Sequence, residues 1–161
     1  MSQDRSALVD YIGGSETAKW ATFFLSGEMF ALRVEDVQEV LLHQPLTPVP
    51  LAPEHVVGLL NLRGQIMSAV DLRTRLHFPP REAGAPFSLL VLNTHEGLLS
   101  VVVDEIGDVL SLPTAGWREP PDTLAARHRG FVFGICPIDK QLVLGLKVAG
   151  LSGDETARQA A

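Results

Sequence analysis

The sequence predicts an all-β fold with a few short helices, built as two similar β units. Three observations predict it. Four pairs of apolar segments flank short turn-rich stretches, prolines cluster after the first pair and again after the third, and an eight-residue pattern recurs at an offset of 69.

The first pair runs Thr22–Leu25 and Met29–Arg33, with Ser26, Gly27 and Glu28 suited to a tight turn. Phe30, Leu32 and Val34 alternate onto one face and Met29, Ala31 and Arg33 onto the other, the period of a half-buried strand. Val34, Val37, Val40 and Leu41 then follow helical spacing, with Glu35, Asp36, Gln38 and Glu39 between them, which predicts one or two helical turns. Pro45, Pro48, Pro50 and Pro53 force an irregular connection, because proline lacks the donor that a helix or inner strand needs.

A second hairpin joins Val56–Leu62 to Ile66–Val70 through Arg63 and Gly64, and Asp71 is placed to cap a short helix over Leu72–Leu76. His77–Pro86 reads as an internal linker. A third hairpin pairs Phe87–Leu92 with Leu98–Val103 around Asn93–Gly97, and a fourth pairs Phe131–Cys136 with Gln141–Leu146 around Pro137–Lys140. The proline-bearing stretch Pro113–Arg129 joins these two as the earlier one joined the first two.

Val34–Leu41 aligns with Val103–Leu110, apolar on apolar and acid on acid at seven of eight places, and Gly58 aligns with Gly130. Duplication of one β unit accounts for both. The expected organisation is a tail at 1–18, a domain at 19–151 divided into subdomains of about 19–76 and 87–151 by the linker at about 77–86, and a second tail at 152–161.

Composition excludes several classes. With 161 residues, 46% hydrophobic, the chain is long enough to bury a sizeable core. A net charge of -6 with 13 dispersed basic residues gives no footprint for a phosphate backbone, so no nucleic-acid partner is expected. The uncharged stretches fall short of a bilayer span, and Met1–Asp10 lacks the order of a secretory signal, so a cytoplasmic protein without membrane insertion is expected. The single Cys136, in an apolar strand, reads as an inert buried thiol.

Local catalytic signatures are missing: there is no HExxH, CxxC, GxSxG or phosphate-binding loop. His43, His55, His77, His95 and His128 are widely separated and read as loop or surface residues. Asp104 and Glu105 point to opposite faces if extended and read as a solvated turn. No catalytic residue, metal ligand or cofactor is assigned, and the chain is expected not to be an enzyme.

Val37-Gln38-Glu39-Val40, the proline-rich connection, Gly58-Leu59-Leu60-Asn61-Leu62-Arg63-Gly64 and Ala69-Val70-Asp71-Leu72-Arg73, in that order and spacing, resemble the CheW family of bacterial chemosensory scaffolds. Val101–Leu112 is similar to that family's later strand and turn, and the resemblance covers about residues 20–151. It implies two five-stranded, SH3-like barrels around a shared core, and a role coupling the cytoplasmic tip of chemoreceptors to a CheA-type histidine kinase. With no room in 161 residues for a receiver or kinase domain, a free-standing adaptor is expected.

The resemblance places Val37 and Glu39 at a kinase-facing surface, gives Arg63 support of the receptor and kinase contacts, and adds Gly64 to the partner-binding set. Glu39 and Arg63 would suit a carboxylate–guanidinium bridge; the alternative is two solvated charges. Three departures stand out: Ser68 where proline is usual, Gly145-Leu146-Lys147 where an acid is usual, and Leu41-Leu42 where polar or basic residues are common. The leucines fit either altered partner choice or core packing. Rival functions are a CheW-like paralogue in motility or biofilm control, a barrel that senses a small molecule, and a hydrolase.

Overall fold

The computed structural model describes residues 16–124, 128 and 130–152. The two expected tails therefore lie largely outside the described residues. Among the described residues ten strands form: β1 (Thr17–Leu25), β2 (Glu28–Arg33), β3 (Val37–Leu41), β4 (Val56–Leu62), β5 (Gln65–Asp71), β6 (Ser88–Thr94), β7 (Gly97–Val103), β8 (Glu105–Pro113), β9 (Val132–Ile138) and β10 (Gln141–Leu146). One short helix, α1 (Leu72–Arg75), follows β5. Its cap is the one expected, with the Asp71 carboxylate accepting from the Arg73 N–H at 3.0 Å.

All four hairpins are present. The first two have tight turns in which both central residues have positive φ, Ser26 (50°) with Gly27 (82°) and Arg63 (52°) with Gly64 (84°). This is the type I′ geometry that suits the twist of paired strands, and glycine at the second position removes half of its steric cost. The third turn is tighter than expected, because β6 and β7 stay paired to Thr94 and Gly97.

The helix expected after β2 shrinks to a 3₁₀ turn at Val34–Asp36, and Val37–Leu41 is a strand instead. Valine at 37 and 40 suits an extended backbone, and pairing with β6 supplies hydrogen bonds that an isolated turn or two of helix would not gain.

Strand order is β8-β1-β2-β10-β9 in one sheet and β3-β6-β7-β5-β4 in the other. Substituting β1 for β6, β2 for β7, β3 for β8, β4 for β9 and β5 for β10 turns one order into the other. The duplication is therefore real in three dimensions. Register repeats as well: Phe23 lies opposite Ile106 in the first sheet and Leu92 opposite Val37 in the second, each residue displaced by 69.

The sheets do not follow the expected division at 77–86. The second sheet is contiguous from β3 to β7, while the first combines β1 and β2 with β8, β9 and β10. Each half of the sequence lends strands to the other half's barrel. Residues 77–86 connect two strands of one sheet and are not a boundary between barrels. The glycine equivalence also changes. Gly58 and Gly134 match, since a Cβ at either would meet a backbone oxygen, Thr47 at 2.8 Å and Arg118 at 2.9 Å, where an extra bridge lies along the strand; Gly130 has open space.

Each barrel has a small core of its own, Trp20, Ala31, Leu112, Cys136 and Val143 in one and Leu60, Met67, Leu89, Val91 and Val102 in the other. A larger cluster spans both, with Phe23, Phe30 and Leu32 from one sheet against Val70, Leu90, Val101 and Phe78 from the other side. His128 is in this interior rather than at the surface: its Nδ1 lies 3.0 Å from the Leu76 carbonyl oxygen, and its ring stacks on Phe78 at 4.4 Å.

The chain passes between the sheets at Val34–Asp36 and again at Asp104. Asp104 is not the solvated turn the sequence suggested. Its carboxylate accepts from Arg73 at 2.8 and 2.6 Å, from Arg81 at 3.1 and 2.7 Å, and from the Ser26 N–H at 2.8 Å. Arg81 also reaches Asp71 at 3.4 Å. Burial alone would raise the Asp104 pKa, but these donors lower it to about 2.

Candidate functional site

The hairpin turn of β4 and β5 lies against the strand β3, and this brings Glu39 and Arg63 together across 24 residues of sequence. Asn61 helps set the turn by accepting from the Gly64 N–H at 3.1 Å. Arg63 Nη1 then donates to Glu39 Oε2 at 2.9 Å and Nη2 to Oε1 at 2.6 Å. The fork-to-fork geometry is the bidentate pairing expected from the sequence.

Hydrogen bonding from Arg63 lowers the Glu39 pKa, and Glu39 raises that of Arg63. The glutamate is 23% exposed and the arginine 72%. The bridge thus fixes the direction of Arg63 while leaving most of the guanidinium open to solvent. Val37 is half-buried and packs on the main core, anchoring the start of β3, and Gly64 supplies the second positive φ of the turn. The structure brings Glu39 and Arg63 into contact, with Val37 two residues from Glu39 on β3 and Gly64 next to Arg63 in the turn.

Apolar side chains are also exposed on that barrel: Val40 on β3, Val57 on β4 and Ile66 on β5. Their equivalents under the duplication are Val109, Phe133 and Leu142, at offsets of 69, 76 and 76, and all three are exposed as well. The sequence reading missed this second surface, although aligning Val40 with Val109 already contained the signal.

The two surfaces differ in charge. The positions equivalent to Glu39 and Arg63 are Asp108 and Asp139, so acid stands where the other barrel has a bridge. One barrel thus carries an exposed arginine held by a glutamate, and the other carries exposed aspartates at the equivalent positions.

Two of the departures have structural reasons. A side chain at Gly145 would collide with the Phe133 ring and approach Trp117 at 2.9 Å, so an acid there would displace that aromatic pair. Leu41 is half-buried against the second barrel's core, whereas Leu42 is 77% exposed, so only the first of the two is explained by packing. Nothing in the structure explains Ser68, which is exposed on β5 opposite Leu59. The Cys136 thiol is buried, and burial raises its pKa, as expected of an inert group.

Two intertwined five-stranded barrels with an exposed surface on each define a protein-binding module of the double-barrel type. The CheW-like domain family matches residues 19–155, and the chain belongs to that family. A probable chemotaxis protein CheW from Rhizobium etli is 27% identical over 139 residues, covering 86% of this chain and 89% of that protein. The chemotaxis protein CheW of Rhizobium meliloti is 26% identical, covering 75% and 78%. The crystal structure of the scaffolding protein TtCheW from Thermoanaerobacter tengcongensis superposes with a TM-score of 0.77 at 26% identity, covering 84% of this chain and 92% of that one. The fold is therefore two SH3-like barrels of the CheW type. No helix among the described residues is long and apolar enough to cross a membrane.

Proposed function

We infer that the chain is a non-catalytic chemotaxis coupling adaptor, acting in the cytoplasm to hold a CheA-type histidine kinase and the cytoplasmic tip of a chemoreceptor in one assembly. Family membership supports the coupling role. The observation that carries the site is the bidentate Glu39–Arg63 bridge, which holds an exposed guanidinium at the turn between β4 and β5. A fixed, exposed arginine is the kind of anchor that binding energy concentrates on, because little side-chain freedom remains to be lost on docking.

Val37, Glu39, Arg63 and Gly64 form the proposed kinase-side surface. Val37 and Gly64 position the strand and turn, Glu39 orients the arginine, and Arg63 makes the contact. The comparisons do not favour the paralogue reading. For the small-molecule reading, the groove between Leu42, Phe87 and Asp104, of about 660 Å³, is floored by Arg73 and Arg81, whose guanidiniums are already engaged by Asp104 and Asp71.

The test is a titration of the chain with a CheA-type regulatory domain and, separately, with a receptor cytoplasmic hairpin. Arg63→Ala should weaken kinase-domain binding at least tenfold, with Glu39→Ala giving an overlapping loss. Wild-type affinity in both variants would remove the site, and wild-type failure to bind either partner would remove the coupling role.

A further inference from the structure

The offset of 76 that aligns β5 with β10 continues past the two strands. It lays α1, Leu72–Arg75, over Val148–Leu151, the turn that follows β10. Leu72 and Val148, at equivalent positions, both pack in the cluster that spans the barrels.

These two closing elements touch. Arg75 Nη2 donates to the Gly150 carbonyl at 2.7 Å, and Nε donates to the Leu151 carbonyl at 3.1 Å. The guanidinium carbon also lies 4.7 Å from the centre of the Phe131 ring. Leu151, the counterpart of Arg75, is fully buried in the shared cluster, so the turn that receives these bonds is itself anchored. The contact is one-sided, with a cation on one unit and a leucine at the same place on the other.

The other arginine of α1 is engaged as well. Side chains two residues apart on a helix leave it in nearly opposite directions. Arg73 goes to Asp104, which also accepts from the Ser26 N–H in the β1–β2 turn. Just beyond the helix, the Leu76 carbonyl oxygen lies 3.0 Å from His128 Nδ1. One short helix of the second barrel thus reaches the first barrel's segments in more than one direction.

The shared core attracts through apolar contact, which has no preferred direction. The chain crosses between the sheets at Val34–Asp36 and at Asp104, which tethers the barrels without fixing their angle. Hydrogen bonds are directional. Arg75 is half-buried, its bonds go to neutral carbonyls, and burial lowers its pKa. An unbranched apolar side chain would pack on Phe131 without that desolvation. What the guanidinium fork adds over such a stem is two fixed directions.

We propose that Arg75 is a positioning residue for coupling: it latches α1 onto the turn after β10, its duplicated counterpart, and so sets the angle at which the two barrels present their surfaces.

The coupling part rests on the reading above, so the geometry is measured first without partners. Spin labels on Val40→Cys and Val109→Cys, exposed positions on either barrel, should give one narrow distance distribution in a Cys136→Ala background. Arg75→Met keeps an apolar stem on Phe131 and removes the donors, and it should about double the width of that distribution. Kinase-domain affinity should stay within about twofold, because the Glu39–Arg63 bridge lies within the second barrel. Joint assembly of kinase domain and receptor hairpin on one chain should fall about tenfold or more. An unchanged distribution in the folded variant overturns the latch even if the melting temperature drops, since a contact that only stabilises would give that result. A widened distribution with undiminished assembly overturns the positioning role. If the methionine variant does not fold, Arg75→Gln, which keeps a single donor group, should widen the distribution by about half, and a wild-type width there overturns the latch. A wild-type chain that binds neither partner overturns the coupling reading and the role in assembly with it, while the label distances still decide the latch.

Discussion

Replacing Asp104 by asparagine tests the charge cluster at the passage between the barrels. The side chain is only 20% exposed, and its two arginine partners are 17% and 11% exposed, so solvent screens the interactions weakly. The folded pKa of about 2 against an ordinary value of 3.8 corresponds to roughly 2.5 kcal/mol of stability. Asparagine removes the charge and leaves Arg73 and Arg81 without their main counter-ion, a loss expected to be about 3 kcal/mol at pH 7.

The pH dependence has a definite sign. A carboxylate whose folded pKa is lowered contributes its full stabilisation above about pH 5 and loses it as the pH falls through about 2, below which both states are protonated. Urea denaturation followed by the fluorescence of Trp20 and Trp117 should therefore show a gap between wild type and Asp104→Asn that is widest at neutral pH and nearly closes near pH 2. A gap that stays constant across that range would refute the electrostatic account. Arg81→Gln should reproduce part of the effect if the asparagine variant unfolds.

Three further outcomes are expected. Glu39→Ala and Arg63→Ala should leave the melting temperature nearly unchanged, because the arginine is mostly solvated, and a double-mutant cycle read by kinase-domain titration should show less than additive loss. Gly58→Ala should cost about 1–3 kcal/mol, seen as a lower urea midpoint at constant slope, since the new Cβ would sit 2.8 Å from the Thr47 oxygen; Gly134→Ala should behave alike against Arg118. Cys136 should resist a thiol reagent in the native chain and react at once in urea.

The hairpins were legible because each pairs alternating apolar residues with a turn that states its own geometry, as Arg63-Gly64 does. The spacing of Val34, Val37, Val40 and Leu41 predicts a helix over β3 because the strand is short and its inward residues, Val37, Glu39 and Leu41, include a charged one, which breaks the apolar alternation of a strand. The partners of Asp104 were out of reach: Arg81 and Arg73 lie 23 and 31 residues away, with no pattern that links them. Glu39 and Arg63 could be paired only through the family motif. The same offset that revealed the duplication could have predicted the second apolar surface, since it maps Val40 onto Val109, but it says nothing about which half pairs with which.

The exchange of strands explains why the two ends can differ while the fold stays whole. A half-chain of this size buries too little apolar surface to be secure alone. Here β1 and β2 are completed by strands from beyond residue 103, and β3 to β5 pack on β6 and β7, so neither half is finished without the other. Phe23 and Phe30 from the early strands join Val101 and Val103 from the later ones in one interior, and each barrel keeps a smaller core besides. Stability is thus held in common, in positions the duplication keeps apolar on both sides, such as Leu60 with Cys136 and Met67 with Val143. The surface residues carry no such constraint. Glu39 and Arg63 could therefore diverge from Asp108 and Asp139 without cost to the shared core, giving one barrel a neutral ion pair where the other carries two acids.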